Sequence, residues 1–92
     1  MSKWLIVVEE TVAADAAPTH RQVKVIQQVR GNKTREEALV ELRNVARRYT
    51  PDLLKGTPKL VGLDSDGSFW VLPKSGKGNV SCNLRLIEQI HP

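Results

Sequence analysis

Apolar and polar residues alternate along most of the chain, and in one stretch the spacing switches to that of a helix. From Lys3 to Val12 the sequence is rich in Val, Ile and Trp and free of Gly and Pro, which predicts a strand. Trp4, Ile6, Val8 and Val12 share one parity, and Leu5 and Val7 share the other with Lys3, Glu9 and Thr11. His20 to Arg30 predicts a second strand, in which Val23, Val25 and Val29 alternate with Lys24, Gln28 and Arg30 while Ile26 interrupts the polar face. The small residues Ala13 to Thr19 end in a Pro18 turn and predict the connecting loop, because Pro lacks the donor a central strand needs. Two strands so joined form an antiparallel hairpin.

Gly31-Asn32-Lys33 ends the second strand, and Thr34-Arg35-Glu36-Glu37 then has the pattern of a capping box. The Thr34 hydroxyl would accept from the Glu37 amide, and the Glu37 carboxylate would accept from the Thr34 amide. A helix is predicted from there to about Tyr49, with Ala38, Leu39, Leu42, Val45, Ala46 and Tyr49 on one face. Glu36, Glu37 and Glu41 lie toward its start and Arg43, Arg47 and Arg48 toward its end, the order that the helix dipole favours. Pro51 disfavours helical backbone at Thr50 and marks the stop.

Beyond a loop around Gly56 and Pro58, Lys59 to Leu63 and Ser68 to Leu72 predict two short strands about the turn Asp64-Ser65-Asp66-Gly67. Pro73 to Asn79 predicts another turn. A last strand runs from Val80 to Ile87, with Val80, Cys82, Leu84 and Leu86 on its apolar parity and a frayed tail from Glu88 to Pro92. The element order is ββαβββ over a single domain, residues 1–92: an α+β protein with one helix packed on a mostly antiparallel sheet.

Charge narrows the partners. The chain has 14 Lys and Arg against 10 Asp and Glu, a net charge of +4, unevenly spread. Residues 20–35 hold Arg21, Lys24, Arg30, Lys33 and Arg35 with no acid, whereas residues 1–19 set Glu9, Glu10 and Asp15 against Lys3. Lys33, Arg35, Arg43, Arg47 and Arg48 are therefore the candidate contacts for nucleic acid or another anion. Glu36, Glu37 and Glu41 share the helix's outer side and oppose phosphate, and no stacking platform for bases is spelled out, so nucleic acid is not the favoured partner. No apolar run reaches the ~20 residues that cross a bilayer, and the start lacks the features of a signal peptide. With a single cysteine, Cys82, no intrachain disulfide forms, and a cytoplasmic protein is expected.

Several chemistries find no support. His20, His91 and Cys82 are scattered and have no zinc-ligand spacing. Asp64-x-Asp66-Gly67 opens like a calcium loop, but Ser75 stands where the closing Glu belongs. Gly31 to Thr34 precedes a helix without P-loop spacing. Cys82 sits mid-strand on the apolar parity, which predicts a buried, inert thiol. Glu9 and Glu10 point to opposite faces of one strand and cannot share a site. His20 is the one conceivable base, with no partner marked. No catalytic residue, metal or cofactor is therefore assigned, and a non-enzymatic protein is expected.

The informative feature is an excess of apolar residues. One helix covers one face of a sheet. If Trp4, Ile6, Val8, Val23, Val25 and Val29 meet it, then Leu5, Val7 and Ile26 face away, forming an apolar patch of the kind that marks an interface. The expectation is a small binding or regulatory module, homodimeric through this face or holding a protein partner there. The alternative cover is the 50–58 loop or the C-terminal tail.

The helix Thr34-Arg35-Glu36-Glu37-Ala38-Leu39, continuing through Leu42-Arg43, Ala46 and Tyr49 to Pro51, resembles that of small uncharacterised actinobacterial ββαβββ proteins. The hairpin residues Asp66-Gly67-Ser68-Phe69 and Val71 resemble them too, and together the likeness covers about half the chain. It implies a bacterial cytosolic origin and carries no activity across.

Overall fold

The computed structural model describes residues 3–14, 17–51, 54–56, 58–74 and 80–91, with the side chains of 12–20 outside the description. The elements are β1 (Lys3–Ala14), β2 (Ala17–Val29), α1 (Arg35–Arg48), β3 (Lys59–Leu63), β4 (Phe69–Pro73) and β5 (Val80–Gln89). This is the expected ββαβββ order of an α+β protein. The five strands form one sheet in the order β2-β1-β5-β4-β3, every pair antiparallel. The last strand therefore lies in the middle, between two hairpins. The helix carries the chain from the β2 edge to the β3 edge and packs on β1, β5 and β4 as it crosses. No helix of the described residues is long and apolar enough to cross a membrane.

The helix begins where its capping box places it. The Glu37 amide donates to Thr34 Oγ1 at 3.2 Å, and the Thr34 amide donates to Glu37 Oε1 at 3.0 Å. At the other end the Lys59 ammonium donates to the Tyr49 carbonyl at 2.6 Å and to Thr50 Oγ1 at 2.9 Å. Ala38, Leu42, Val45 and Ala46 are buried against Ile6, Val8, Val29, Phe69, Val71, Cys82 and Leu84, and Leu54 closes the same core. The Trp4 indole N–H donates to the Lys33 carbonyl at 3.1 Å, tying the segment before the helix to β1.

The β3–β4 turn is built by its own side chains. The Gly67 amide donates to the Asp64 carbonyl at 3.0 Å and the Asp64 amide to the Ser68 carbonyl at 2.8 Å, with Gly67 at a φ of 88° that favours glycine. The Asp64 carboxylate accepts from the Ser65 amide and the Trp70 indole; that of Asp66 accepts from the Ser68 amide and hydroxyl. Both acids of the calcium-like stretch thus serve the turn.

Three expectations are corrected. The first loop is much shorter than residues 13–19: β1 runs to Ala14, β2 starts at Ala17, and the two residues pair. Pro18 is tolerated because β2 is an edge strand, where alternate N–H groups point away from the sheet and take no part in the ladder. Glu88 and Gln89 are not frayed but continue β5, opposite Trp4 and Lys3. The third correction concerns faces. Ile6 pairs with Gln27 and Val7 with Val25, so Ile26 is the extra residue of a β-bulge. The bulge reverses the side-chain parity of β2. Val29 lies under the helix as expected, but Val23 and Val25 face away from it, 50% and 56% exposed. Ile26 is turned to the helix side, where it packs against the core and shares a groove with Val45 and Tyr49.

Thr34→Ala should lower stability by about 1 kcal/mol, because the Glu37 amide loses its acceptor and the reciprocal bond loses its geometry. A thermal melt that matches wild type would show that the cap contributes nothing.

Candidate interaction surface

Cross-strand partners share a face, so the register fixes the composition of both sides. The helix-free face carries Leu5, Val7, Glu9 and Thr11 from β1 and Gln28, Val25, Val23 and Arg21 from β2. From β5 it carries Ile87, Arg85, Asn83 and Ser81; from β4, Trp70 and Leu72; from β3, Leu60 and Gly62. Phe69, next to Trp70 in β4, is on the opposite, helix side and buried.

Of the expected dimer-face residues, Leu5 and Val7 are on this face and Ile26 is not, for the bulge removes it. Val7 is only 3% exposed, shielded by its neighbours, while Val23, Val25, Ile87 (39%), Leu60 (52%) and Leu72 (39%) stand open to solvent. The apolar surface is divided into two areas. Leu5, Val7, Val23, Val25 and Ile87 occupy one, and Leu60, Trp70 and Leu72 the other. Between them lies a polar centre. Glu9 Oε1 accepts from Arg21 Nη2 at 2.7 Å and from both terminal nitrogens of Arg85 at 3.4 Å. Asn83, itself buried, donates to Ser68 Oγ at 3.0 Å and to the Phe69 carbonyl at 3.3 Å, and its oxygen accepts from Arg85. The Arg21 hydrogen bond, with the nearby charge of Arg85, holds the Glu9 carboxyl below its usual range.

Neither alternative cover reaches this face in the described residues. Leu54 belongs to the helix-side core, and Ile90, beyond the end of β5, is 91% exposed.

The basic residues are not gathered into one surface. Arg43 lines a groove with Leu39, Val40, Leu63, Gly67 and Phe69, on the β3–β4 flank of the helix. Arg35 reaches the same flank, its guanidinium beside Gly67. Lys33 lies on the other flank, with Gln27, Gln28, Arg30 and Glu41 around an open depression of about 560 Å³. Arg48 is on that side too, bonded to the Asn44 carbonyl at 3.2 Å, and Arg47 lies beside it across the outer surface. Within the basic 20–35 stretch, Arg21 and Lys24 are turned onto the acids of β1, Lys24 Nζ lying 3.7 Å from Glu10.

Glu9 and Glu10 do point to opposite faces. Glu10 is on the helix side, where its carboxylate accepts from the Tyr49 hydroxyl. Cys82 lies beneath, fully buried, and burial together with the Glu10 charge pushes its thiol up to about 12. It is a core residue with no thiolate to offer at neutral pH. The side chain of His20 lies outside the described residues. Among the described residues no three His, Cys, Asp or Glu side chains gather as metal ligands would.

No protein-family model, curated protein or solved structure matches the chain.

Two pH effects follow, of opposite sense. Glu9 ionises more readily folded than unfolded, so its contribution is present above about pH 4.5 and is lost as pH falls through its lowered value. Glu9→Gln should flatten the acid limb of a denaturation-midpoint profile. Cys82 holds its proton more tightly when folded, so stability is intact below pH 9.0 and declines as pH rises toward about 12. Cys82→Ala should flatten that alkaline limb. Profiles unchanged by these substitutions would rule out the assigned groups.

Proposed function

We propose that the protein is a small non-enzymatic binding module of the bacterial cytoplasm that self-associates through the helix-free face of its sheet. The observation that carries this is the set of five open apolar side chains, Val23, Val25, Ile87, Leu60 and Leu72, on a face that no described segment covers. Exposed apolar areas of this extent on a small protein are characteristic of interfaces.

The polar centre suits a second copy. In a two-fold stack the apolar areas meet apolar areas at about 10 Å sheet spacing, and the Glu9, Arg21 and Arg85 groups of one copy meet those of the other. Opposite charges are present in each, so the centre of the stack is not a field of one sign. Burying ~600 Å² of apolar surface per chain corresponds to roughly 15 kcal/mol before association costs, which are of similar size. Burial of this order offsets the association costs, and the fit of the two faces then sets the affinity. Nucleic acid is less well served, because the basic side chains are split between the two flanks of the helix and partly engaged by β1.

Val25→Lys places a charge in the centre of the first apolar area without touching the helix-side core. It should halve the mass seen by sedimentation equilibrium and leave the circular dichroism spectrum unchanged. A wild-type chain that sediments as a monomer at high concentration would refute self-association.

A further inference from the structure

The two edges of the sheet are finished differently. β2 shows the devices that keep an edge strand from pairing: Arg21 and Lys24 along it, a bulge at Ile26, and Pro18 near its start. β3, at the other edge, reads Lys59-Leu60-Val61-Gly62-Leu63. After Lys59 it has no charge, no proline and no bulge, and Leu60, Val61 and Leu63 are 52%, 37% and 70% exposed.

Which backbone groups face outward follows from the ladder. The Lys74 amide donates to the Pro58 carbonyl and the Asp64 amide to the Ser68 carbonyl, both at 2.8 Å. Residues 58 and 64 thus turn their polar groups toward β4, and by antiparallel alternation so do Leu60 and Gly62. Pro73, which has no N–H, pairs with Lys59 at a position where no donor is needed. Lys59, Val61 and Leu63 consequently present an N–H and a C=O each to the free edge.

We propose that β3 pairs antiparallel with the β3 of a second copy about a two-fold axis through Val61. In this register Val61 lies opposite itself, Lys59 opposite Leu63, and every outward N–H and C=O of the three residues is satisfied. Leu60 falls opposite Gly62 in the closer, non-hydrogen-bonded positions, where two large side chains would crowd. Gly62 has no atom within 4 Å of where a Cβ would stand, so Leu60 of the partner subunit fits there and reaches Trp70, the β4 neighbour of Gly62. The strand is therefore complementary to itself in side chains as well as in backbone. Among the described residues α1 packs chiefly on β1, β5 and β4, inward of the β3 edge.

The edge shares only Leu60 with the residues that carry the face-to-face reading, and its axis is normal to the sheet rather than in its plane. The proposal goes beyond the face-to-face reading and stands or falls apart from it. Sedimentation velocity and native mass spectrometry on the full chain test it. Val61→Pro removes an outward N–H that β4 does not use and should halve the wild-type mass with the circular dichroism unchanged. Leu63→Lys sets like charges opposite each other at both ends of the seam and should do the same, whereas Leu63→Glu, opposite Lys59, should keep the wild-type mass. If Val61→Pro disturbs the fold, the Lys and Glu variants of Leu63 decide. Wild-type mass in both Val61→Pro and Leu63→Lys overturns the edge pairing, even if Val25→Lys halves the mass and so upholds the face. Halving in the edge variants with no effect of Val25→Lys upholds the edge and overturns the face. A monomeric wild type overturns both.

Discussion

The rest of the structure depends on the insertion of β5 between two hairpins. β1–β2 and β3–β4 each close locally, but neither has a face wide enough to seat a helix. β5 pairs with β1 along ten residues, from Val80 opposite Val12 to Gln89 opposite Lys3, and with β4 from Cys82 to Leu84. That pairing joins the hairpins into one sheet and places Cys82 and Leu84 beneath Leu42 and Ala46 in the core. It also fixes where the free edges lie. The strands at the outside are the ones the helix connects, so the crossover must run over the whole sheet on one side, and the other side receives no cover from it.

What was legible in the sequence was what is decided locally. The helix is fixed by Thr34, Glu37 and the spacing of Ala38, Leu42, Val45 and Ala46, all within one stretch. The β3–β4 turn is fixed by Asp64, Asp66 and Gly67, whose side chains and φ angle act within five residues. Strand order was not legible, because residues 1–14 meet residues 80–89 only in the folded chain. Pro18 argues against a strand only when the strand is central, so in the edge strand β2 it does not mark the turn. Ile26 was misplaced because a bulge shifts parity by one residue, and nothing in a run of Val, Ile and Gln distinguishes the extra residue from its neighbours. Of the apolar residues of the candidate surface, the strand parity alone identifies Leu5 and Val7. Val23 and Val25 were assigned to the wrong side, and the Glu9–Arg85 pairing, 76 residues apart, had no local signal.

The two faces illustrate how the same residue types do different work. Glu9 and Glu10 are neighbours in sequence and near equals in chemistry, yet one anchors two arginines on the open face while the other receives a tyrosine hydroxyl beneath the helix. Exposed pairs such as Arg21–Glu9 contribute little to stability. Their effect is on what can be placed against the sheet: a partner must match a negative carboxylate flanked by two guanidinium groups, with apolar surface on either side. That requirement discriminates among partners more strongly than apolar area would alone.

Dimensions explain why apolar surface is left over at all. A 14-residue helix is about 21 Å long and 10 Å across. Five strands spaced about 4.8 Å apart, the longest 13 residues, make a sheet wider and longer than that, within an overall extent of 45 × 24 × 23 Å. Toward the far end of the β1–β2 arm the described side chains Thr11, Arg21 and Gln22 are polar, with Glu9 beside them. On the helix-free face behind the core the chain instead places Val25, Ile87, Leu72 and Leu60, and at the β3 edge Val61 and Leu63. On the proposed reading, the branched apolar residues at these two surfaces are the ones that a second copy covers.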